Sequence, residues 1–217
     1  MFNININILI ENFLDQCLKI DKFQNYVNNR SKIKYGCQFK VSRHNVTIEQ
    51  IFDDYKFNDV REDDIVLDIG ANVGGFSLFI SKMVKKVYAV EPIVTDILRE
   101  NISMNKIDNI TVLDKCLGKG KIEILWLEEK KEMTGTSLSE LIKLCGGKVD
   151  FLKCDCEGGE WSITPDELKN IRRIEMEVHY LDGKYDVNNY LKILDEAGFK
   201  YTYKIGTEMI VHATKKP

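Results

Sequence analysis

From residue 65 onward, short apolar runs alternate with helical patterns, and this alternation constrains the fold more than any other feature. The first run, Ile65 to Ile69, leads into a glycine-rich turn and a helical segment that begins at Gly75. Further apolar runs lie at residues 86–90, 110–113, 149–154 and 173–178. Parallel strands joined by crossover helices produce this order of elements. The sequence therefore predicts an α/β fold with an open, mostly parallel sheet.

Four other segments have recognisable boundaries. Ser137, followed three residues later by Glu140, is typical of a helix start. A second helical pattern over residues 186–197 stops at Gly198, as a left-handed helix end does. Residues 121–126 are predicted to be an extended excursion from the sheet. Two final apolar runs, at residues 199–204 and 208–212, predict a terminal antiparallel hairpin.

The first 60 residues do not follow this alternation. They contain a predicted helix over residues 9–27 and extended pieces near residues 32–36 and 38–41. The chain has only 3 prolines and no Ser/Gly-rich linker. We interpret residues 1–60 as an N-terminal helix and extended segment that forms a cap or lid, and residues 61–217 as the domain built on the sheet.

Composition narrows the class of protein. With 31 Lys and Arg against 34 Asp and Glu, the net charge is −3, which disfavours nucleic acid as a partner because phosphate binding needs a basic face. The N-terminal segment lacks the basic region of a secretory signal, and no uncharged apolar run reaches the roughly 18 residues of a membrane span. We expect a cytoplasmic protein whose six cysteines are free thiols. No pattern indicates an oligomeric state.

Ligands of open α/β sheets bind beyond the carboxyl ends of the strands. The residues at these ends are mostly polar or acidic, and they comprise residues 68–74, Glu91 with Pro92, Asp114, residues 155–157 and residues 177–179. We therefore expect the functional site at this edge of the predicted sheet.

The turn after the first strand has glycines at positions 70, 74 and 75. Gly70 can make a tight turn and let the backbone approach a ligand closely. The spacing departs from the dinucleotide fingerprint, because Asn72 stands where the second glycine would be. This departure argues against a nicotinamide-dependent oxidoreductase, the alternative enzyme class. The acidic Asp68 before the turn suits a ligand with a cationic amino-acid portion better than a pyrophosphate.

Glu91 ends the second strand, 23 residues after Asp68 (91 − 68). A carboxylate at this position can accept hydrogen bonds from both hydroxyls of a ribose. Charge-assisted hydrogen bonds of this kind contribute about 1.5–3 kcal/mol each. We interpret Glu91 as a ribose-binding residue, and the alternative is a solvated glutamate at a strand end.

Three segments in the same order resemble the FkbM-type family of S-adenosylmethionine-dependent methyltransferases. They are residues 66–77, 87–92 and 151–160, and the similarity extends from about Asp64 to Tyr180. The resemblance implies a Rossmann-like methyltransferase fold with a seven-stranded sheet and helices on both faces. It also implies S-adenosyl-L-methionine as cofactor, and O-methylation of a hydroxyl on a sugar, glycolipid or other small natural product. The expected partner is therefore a small-molecule or glycan hydroxyl acceptor.

The resemblance also assigns cofactor-binding residues. The implied contacts are Asp68, Gly70, Ala71 and Asn72 for the methionine part, Glu91 for the ribose, Pro92, Ile93, Asp114 and Cys116 for the adenine, and Asp155 near the transferable methyl group. On this interpretation, residues 61–217 form the S-adenosylmethionine-binding domain.

Three carboxylates fall within six residues after the fourth strand: Asp155, Glu157 and Glu160. They repel one another unless a cation, a proton or a lysine neutralises them, and Lys153 lies on the same strand face as Asp155. Methyl transfer is an in-line displacement, and a hydroxyl acceptor is helped by a general base. We predict Asp155, Glu157 and Glu160 as the first candidates for the catalytic base and His179 as the second.

Other interpretations stay open at this point. A divalent cation held by these acids can lower the pKa of the acceptor in place of a base, although no Cys/His set has zinc-site spacing and Cys154 and Cys156 are expected to pack. The acidic turn can also be ordinary surface in a protein that binds the cofactor without catalysis.

RNA methylation is a further alternative. The charge balance and the lack of an Asp/Asn-Pro-Pro-aromatic motif after the fourth strand argue against it.

Overall fold

The computed structural model describes residues 36–40, 48, 51, 54–126, 129–180 and 186–215. The predicted helix over residues 9–27 and the extended piece at 32–35 lie outside the described residues. Residues 36–40 form no strand. Among the described residues, no helix is long and apolar enough to cross a membrane. The division of the chain at residue 60 stays a prediction.

The strands and helices follow one another in alternation. The strands are β1 (Ile65–Ile69), β2 (Lys86–Val90), β3 (Ile110–Leu113), β4 (Lys121–Trp126), β5 (Glu129–Thr134), β6 (Phe151–Cys154), β7 (Arg173–Val178), β8 (Lys200–Ile205) and β9 (Met209–Thr214). The α-helices are α1 (Gly75–Ile80), α2 (Thr95–Met104), α3 (Leu138–Leu144) and α4 (Val187–Glu196). Two 3-10 turns, Gly159–Ser162 and Pro165–Leu168, follow β6.

Seven of these strands form one sheet in the order β3-β2-β1-β6-β7-β9-β8. The five strands from β3 to β7 in this order are parallel, whereas β9 runs antiparallel to both β7 and β8. The order reverses direction between β1 and β6, which places the loops after these two strands on either side of a crevice. The prediction of an open, mostly parallel, seven-stranded sheet with a terminal antiparallel hairpin is confirmed.

The core lies on both faces of the sheet. Val66 of β1 packs with the α1 residues Phe76 and Ile80. The next residue, Leu67, packs with Leu141 of α3 and residues of α4 on the opposite face. Successive strand side chains point to opposite faces, so a strand covered on both sides is a continuous apolar run. Both layers of helices therefore hold the sheet edge at which the candidate site lies.

Strands β4 and β5 form a separate two-stranded antiparallel sheet. The sequence predicted β4 as an extended excursion, but it did not predict β5. The β5 sequence, Glu-Lys-Lys-Glu-Met-Thr, has no apolar run or alternation that indicates a strand. Pairing with β4 forms this strand, so its existence depends on a tertiary contact.

The predicted start of α3 at Ser137 is confirmed, and the structure shows a second side-chain cap at the start of α4. At α3, the Ser137 hydroxyl accepts a hydrogen bond from the Glu140 backbone N–H at 3.3 Å, and the Glu140 carboxylate accepts one from the Ser137 N–H at 3.0 Å. At α4, the Asp186 carboxylate accepts a hydrogen bond from the Asn188 N–H at 2.9 Å. These side chains satisfy backbone donors that the first turn of a helix leaves unpaired.

Candidate functional site

A cavity of about 730 Å³ lies beyond the carboxyl ends of β1, β2 and β6. Its walls are the turn after β1, the end of β2, the β3–β4 loop, strand β4 and the turn after β6. This position is the switch point of the sheet, where ligands of open α/β folds bind, and the volume suits a nucleoside-sized molecule. The cavity is therefore the candidate cofactor site.

The turn after β1 forms the floor of the cavity. The N–H groups of Gly70 and Ala71 both donate to the Val90 carbonyl at 3.0 Å, which ties the turn to the end of β2. Gly70 has a positive φ of 76°, and a Cβ atom there would lie 1.6 Å from the carbonyl oxygen of Asp155. The positive φ agrees with the tight turn predicted from the sequence. The structure adds a reason that the sequence did not give, which is the contact between the backbones of the two turns.

Glu91 lines the cavity and holds two of its turns together. One carboxylate oxygen accepts hydrogen bonds from the N–H groups of Ile93 at 2.6 Å and Val94 at 3.0 Å. The other accepts the Asn72 N–H at 2.8 Å. Burial raises the pKa of Glu91, and the three backbone donors oppose this rise. The residue is thus a bridge between the turns after β1 and β2 as well as a wall of the cavity.

Asp68, predicted to contact the cofactor, lies beneath the cavity and is fully buried. One of its carboxylate oxygens accepts a hydrogen bond from the Ser77 hydroxyl at 2.6 Å, and the other lies 3.3 Å from the Lys153 ammonium. The same ammonium donates to the Gly70 carbonyl at 2.9 Å and lies 3.7 Å from the Asp155 carboxylate. Burial alone would lower the pKa of Lys153, but Asp68 and Asp155 raise it above its ordinary value. Asp68 and Lys153 therefore support the two turns from below.

The predicted adenine end of the cavity is closed by the β4–β5 hairpin. Pro92, Ile93 and Cys116 line this end, whereas Asp114 does not. The Lys131 ammonium of β5 donates to the Pro92 carbonyl at 2.8 Å and to the Asp114 carboxylate at 3.1 Å. Because the sequence did not predict β5, it also missed this link from β5 to the ends of β2 and β3.

The opposite end of the cavity is acidic. Asp155 and Glu157 line it, together with Glu177, which the sequence identified as a strand end but not as a site residue. The His179 Nε2 atom lies 3.4 Å from a Glu157 oxygen, 3.7 Å from a Glu177 oxygen and 3.8 Å from an Asp155 oxygen. Burial, and then repulsion from Asp155, raise the pKa of Glu177 to about 8. Burial also raises the pKa of Glu157.

Glu160 lies below this acidic end and does not line the cavity. One of its oxygens accepts the His179 backbone N–H at 2.7 Å and lies 3.0 Å from Nδ1 of the same residue. Its other oxygen accepts the Gly158 N–H at 2.9 Å. Burial would lower the pKa of His179, but the hydrogen bond to Glu160 and the neighbouring carboxylates raise it to about 9. Glu160 thus orients His179 from a position that a bound acceptor does not reach.

Tyr55 and Trp161 also line the cavity, and the sequence did not indicate either. The Tyr55 hydroxyl donates to an Asp155 carboxylate oxygen at 3.2 Å, and the Trp161 indole N–H donates to the His179 carbonyl at 2.9 Å. Burial, followed by the charge of Asp155, raises the pKa of Tyr55 well above its ordinary value. Tyr55 lies 100 positions before Asp155, so no local pattern connects the two residues.

A family model described as FtsJ-like methyltransferase matches residues 41–187, well over half of the chain. The chain belongs to the FtsJ-like methyltransferase family. The matched residues include β1, the acidic end of β2 and the turn after β6, which are the walls of the cavity. The prediction of an S-adenosylmethionine-dependent methyltransferase is confirmed at the level of family and fold.

Curated relatives of this FtsJ-like chain are similar over short stretches. A protein of Methanosphaera stadtmanae named "Probable ribosomal RNA small subunit methyltransferase A" is 37% identical over 71 residues, which cover 29% of this chain and 26% of that protein. A Clostridium tetani protein named "Uncharacterized RNA methyltransferase" is 27% identical over 113 residues, which cover 46% of this chain and 24% of that protein. The chain thus spans about a quarter of the length of these relatives.

Solved structures share the fold. The precorrin-6y C5,15-methyltransferase of Geobacter metallireducens superposes with a TM-score of 0.52 and 14% identity, covering 82% of this chain and 94% of that one. An rRNA methylase of Streptococcus thermophilus gives a TM-score of 0.51 and 14% identity, and the match covers 81% of this chain and 98% of that one. At this identity, the likeness shows the methyltransferase fold alone.

Two predictions are wrong. The family is FtsJ-like and not FkbM-type, because the matching model is that of FtsJ-like methyltransferases. The three motifs behind the resemblance form the floor and walls of a cofactor cavity, so they indicate a fold and a ligand rather than one family. The prediction that nucleic acid is an unlikely partner is also wrong, because similar proteins are named as RNA methyltransferases, the alternative that the charge balance disfavoured. A sum of charges does not report their distribution, and Lys115 and Lys119 line this cavity.

Proposed function

We propose that this FtsJ-like methyltransferase transfers the methyl group of S-adenosylmethionine to RNA. The observation that carries the proposal is the similarity to relatives named as RNA methyltransferases. The distribution of lysines supports it. Lys115 and Lys119 are exposed at the cavity wall, and Lys121 and Lys130 are exposed on the adjoining β4–β5 hairpin. Ammonium groups around a cavity mouth can contact the phosphates on either side of a target nucleotide.

We further propose that the cofactor occupies the cavity along the ends of β1 and β2. In this arrangement, residues 70–72 contact the methionine part and Glu91 accepts hydrogen bonds from the ribose. The adenine lies against Pro92, Ile93 and Cys116. The residues present fit this ligand, because the cavity combines a backbone turn, a buried carboxylate and an apolar wall in the order of its three parts. The transferable methyl group on the sulfonium would then face the acidic end of the cavity.

Asp155 is the proposed base at that end. One of its carboxylate oxygens accepts the Tyr55 hydroxyl, and the other faces His179. A carboxylate so held can take the proton that a nucleotide hydroxyl or amino group loses when it receives the methyl group. Glu157, whose carboxylate lies 3.4 Å from His179 beside Asp155, is the second candidate for this role. His179 was predicted as a base as well, but its raised pKa keeps it protonated at neutral pH, so it stabilises the neighbouring carboxylates instead.

The proposed substrate class is tested by transfer from tritiated S-adenosylmethionine. We expect label in total RNA that is removed by ribonuclease, and none in a protein extract or in a mixture of oligosaccharides. Unmodified transcripts of ribosomal RNA serve as the defined acceptor. Transfer to the oligosaccharides or proteins but not to RNA would contradict the proposal.

The Glu91→Gln variant should bind S-adenosylmethionine about 10–100-fold more weakly, because a neutral amide accepts weaker hydrogen bonds from ribose hydroxyls than a carboxylate. Isothermal titration calorimetry measures this affinity. The matched control is Glu100→Gln, an exposed glutamate on α2 whose partner is Lys40. We expect its affinity to equal that of the wild type. An unchanged affinity in Glu91→Gln would remove the ribose assignment.

The Asp155→Asn variant should lose about 100-fold or more of the rate of transfer to RNA, the contribution of a general base. Its affinity for S-adenosylmethionine should change little, since the proposed role is at the acceptor. Single-turnover transfer and calorimetry separate the two effects. The control is Asp166→Asn, at an exposed position outside the cavity. Wild-type rates in Asp155→Asn would exclude Asp155 as the base.

A further inference from the structure

We propose that Asp155, Glu177 and His179 form a binding site for one divalent metal ion at the acidic end of the cavity. Each residue offers one ligand atom, and these three atoms all lie within 4.8 Å of one another. The site stands on its own geometry, whereas its part in methyl transfer rests on the proposed function.

The spacing of the ligand atoms suits one shared ion. His179 Nε2 lies 3.7 Å from the Glu177 oxygen and 3.8 Å from the Asp155 oxygen. Ligands bound about 2.0–2.2 Å from one metal ion, at tetrahedral or somewhat wider angles, lie about 3.3–3.8 Å apart. The side chains therefore need only small movements to bind.

The His179 ring supplies a second, independent observation. Its side chain is only 9% exposed, yet Nε2 makes no hydrogen bond within the residues that the structure describes. The other ring nitrogen, Nδ1, lies 3.0 Å from the fully buried Glu160 carboxylate. A carboxylate that accepts the Nδ1 proton directs Nε2 at the ion, as in metal-binding histidines. Binding of the ion then releases the proton that Nε2 otherwise carries. Nε2 of this buried side chain is thus directed at the carboxylate oxygens of Glu157, Glu177 and Asp155, which lie 3.4 Å, 3.7 Å and 3.8 Å away.

Asp155 is oriented in a comparable way. One of its oxygens accepts the Tyr55 hydroxyl at 3.2 Å and lies 3.7 Å from the Lys153 ammonium. The oxygen that faces His179 is the other one. Residues outside the cluster therefore hold two of the three ligands with one atom turned inward, as supporting residues of metal sites do.

The site lies where a metal ion can act on the acceptor. Asp155 and Glu177 line the cavity, and Glu157 brings a further carboxylate oxygen to within 3.4 Å of Nε2. One imidazole and two or three carboxylates suit ions such as Mn²⁺ or Zn²⁺, and Mg²⁺ is the harder alternative. An ion held by three protein ligands keeps positions open for an oxygen of the substrate, and it lowers the pKa of that oxygen's proton. With the ion bound, Asp155 acts as a ligand, and Glu157, the second candidate for the base, takes the proton.

The test is a titration of the full-length protein with Mn²⁺ alone, followed by electron paramagnetic resonance and calorimetry. We expect saturable binding of one ion per chain. The near-isosteric variants Glu177→Gln and His179→Gln should each weaken binding by at least about tenfold, and Glu160→Gln should weaken it by about 10–100-fold through the orientation of His179. The control is His212→Gln, a histidine that lies 2.5 Å from Glu175 and does not line the cavity. Its affinity should match the wild type, and circular dichroism checks that every variant folds.

The proposal fails if none of Mn²⁺, Zn²⁺ and Mg²⁺ shows saturable binding. In that case, His179 carries a proton and neutralises the carboxylates itself. It also fails if folded Glu177→Gln and His179→Gln proteins bind Mn²⁺ as tightly as the wild type. The RNA assay is separate: Mn²⁺ binding without RNA methylation would leave the metal site intact and reject the proposed substrate. RNA methylation without any metal binding would support the proposed substrate and reject the metal site.

Discussion

We expect the Gly70→Ala variant to lose most of the stability of the fold and all measurable affinity for S-adenosylmethionine. A Cβ atom at this position would lie 1.6 Å from the Asp155 carbonyl oxygen and 2.8 Å from its carbon. Both neighbours are backbone atoms of the turn after β6, and strand β6 pairs directly with β1. A backbone atom cannot rotate away as a side chain can, so the two strands must separate. We expect a decrease of more than about 4 kcal/mol in the free energy of unfolding, the range of exceptional single substitutions.

Gly120→Ala is the matched control. Gly120 has a φ of +70°, close to the +76° of Gly70, but a Cβ atom there meets nothing within 4 Å. This variant should lose only the cost of a left-handed alanine, about 1–2 kcal/mol. Urea unfolding followed by circular dichroism measures both variants, and calorimetry measures cofactor affinity. Equal stability of the two variants would contradict the close contact of the two turns.

The Lys153→Met variant should unfold about 3–5 kcal/mol more easily than the wild type, because it leaves a buried carboxylate without its cation. Lys153 is 3% exposed and Asp68 is fully buried, and 3.3 Å separates their charged atoms. Methionine keeps the apolar length of the lysine side chain, so the loss reports the charge rather than a cavity. The hydrogen bond to the Gly70 carbonyl is lost as well. Urea unfolding at neutral pH provides the measurement.

A surface ion pair gives the comparison for this prediction. Lys169 lies 2.7 Å from Asp166, with side chains 63% and 83% exposed, and Lys169→Met should change stability by about 0–1 kcal/mol. The double variant Lys153→Met with Asp68→Asn should be less destabilised than the sum of the single variants, since the two groups are in contact. If Lys153→Met proves as stable as Lys169→Met, the two turns do not depend on the buried pair.

The positions of the strands were predictable to within a residue or two from their apolar runs. A strand such as Ile65–Ile69, buried on both faces, is apolar throughout except where a residue has a special role. In β1, this exception is Asp68, which lies beneath the candidate cavity and pairs with Lys153. The capping box of Ser137 and Glu140 was predictable because all of its contacts lie within four residues.

Other parts of the site were not predictable, for physical reasons. The polar strand β5 is formed by pairing with β4, and its Lys131 contacts Asp114 at the end of β3. Tyr55 contacts Asp155 from a position distant in the chain. Long-range contacts of this kind leave no periodic pattern, so the sequence contains no local signal for them.

Motifs that serve a shared cofactor limited what the sequence could say about family and substrate. The glycine turn, Glu91 and the acidic turn after β6 correctly indicated S-adenosylmethionine, and they suggested the wrong family. The net charge of −3 likewise describes no particular surface, although two exposed lysines, Lys115 and Lys119, line the cavity. Substrate class depends on the distribution of groups in space.

By itself, the sequence determined the α/β fold, the edge of the sheet that carries the site and the acidic character of that site. These properties follow from the period of apolar residues and from the rule that ligands bind at the carboxyl ends of strands. Only the tertiary structure decided which acids face the cavity. Asp155 and Glu177 do so, whereas Asp68 and Glu160 lie below it and hold Lys153 and His179. Whether a strand-end carboxylate contacts a ligand or a buried partner depends on what packs beneath it, and residues distant in the chain supply that packing.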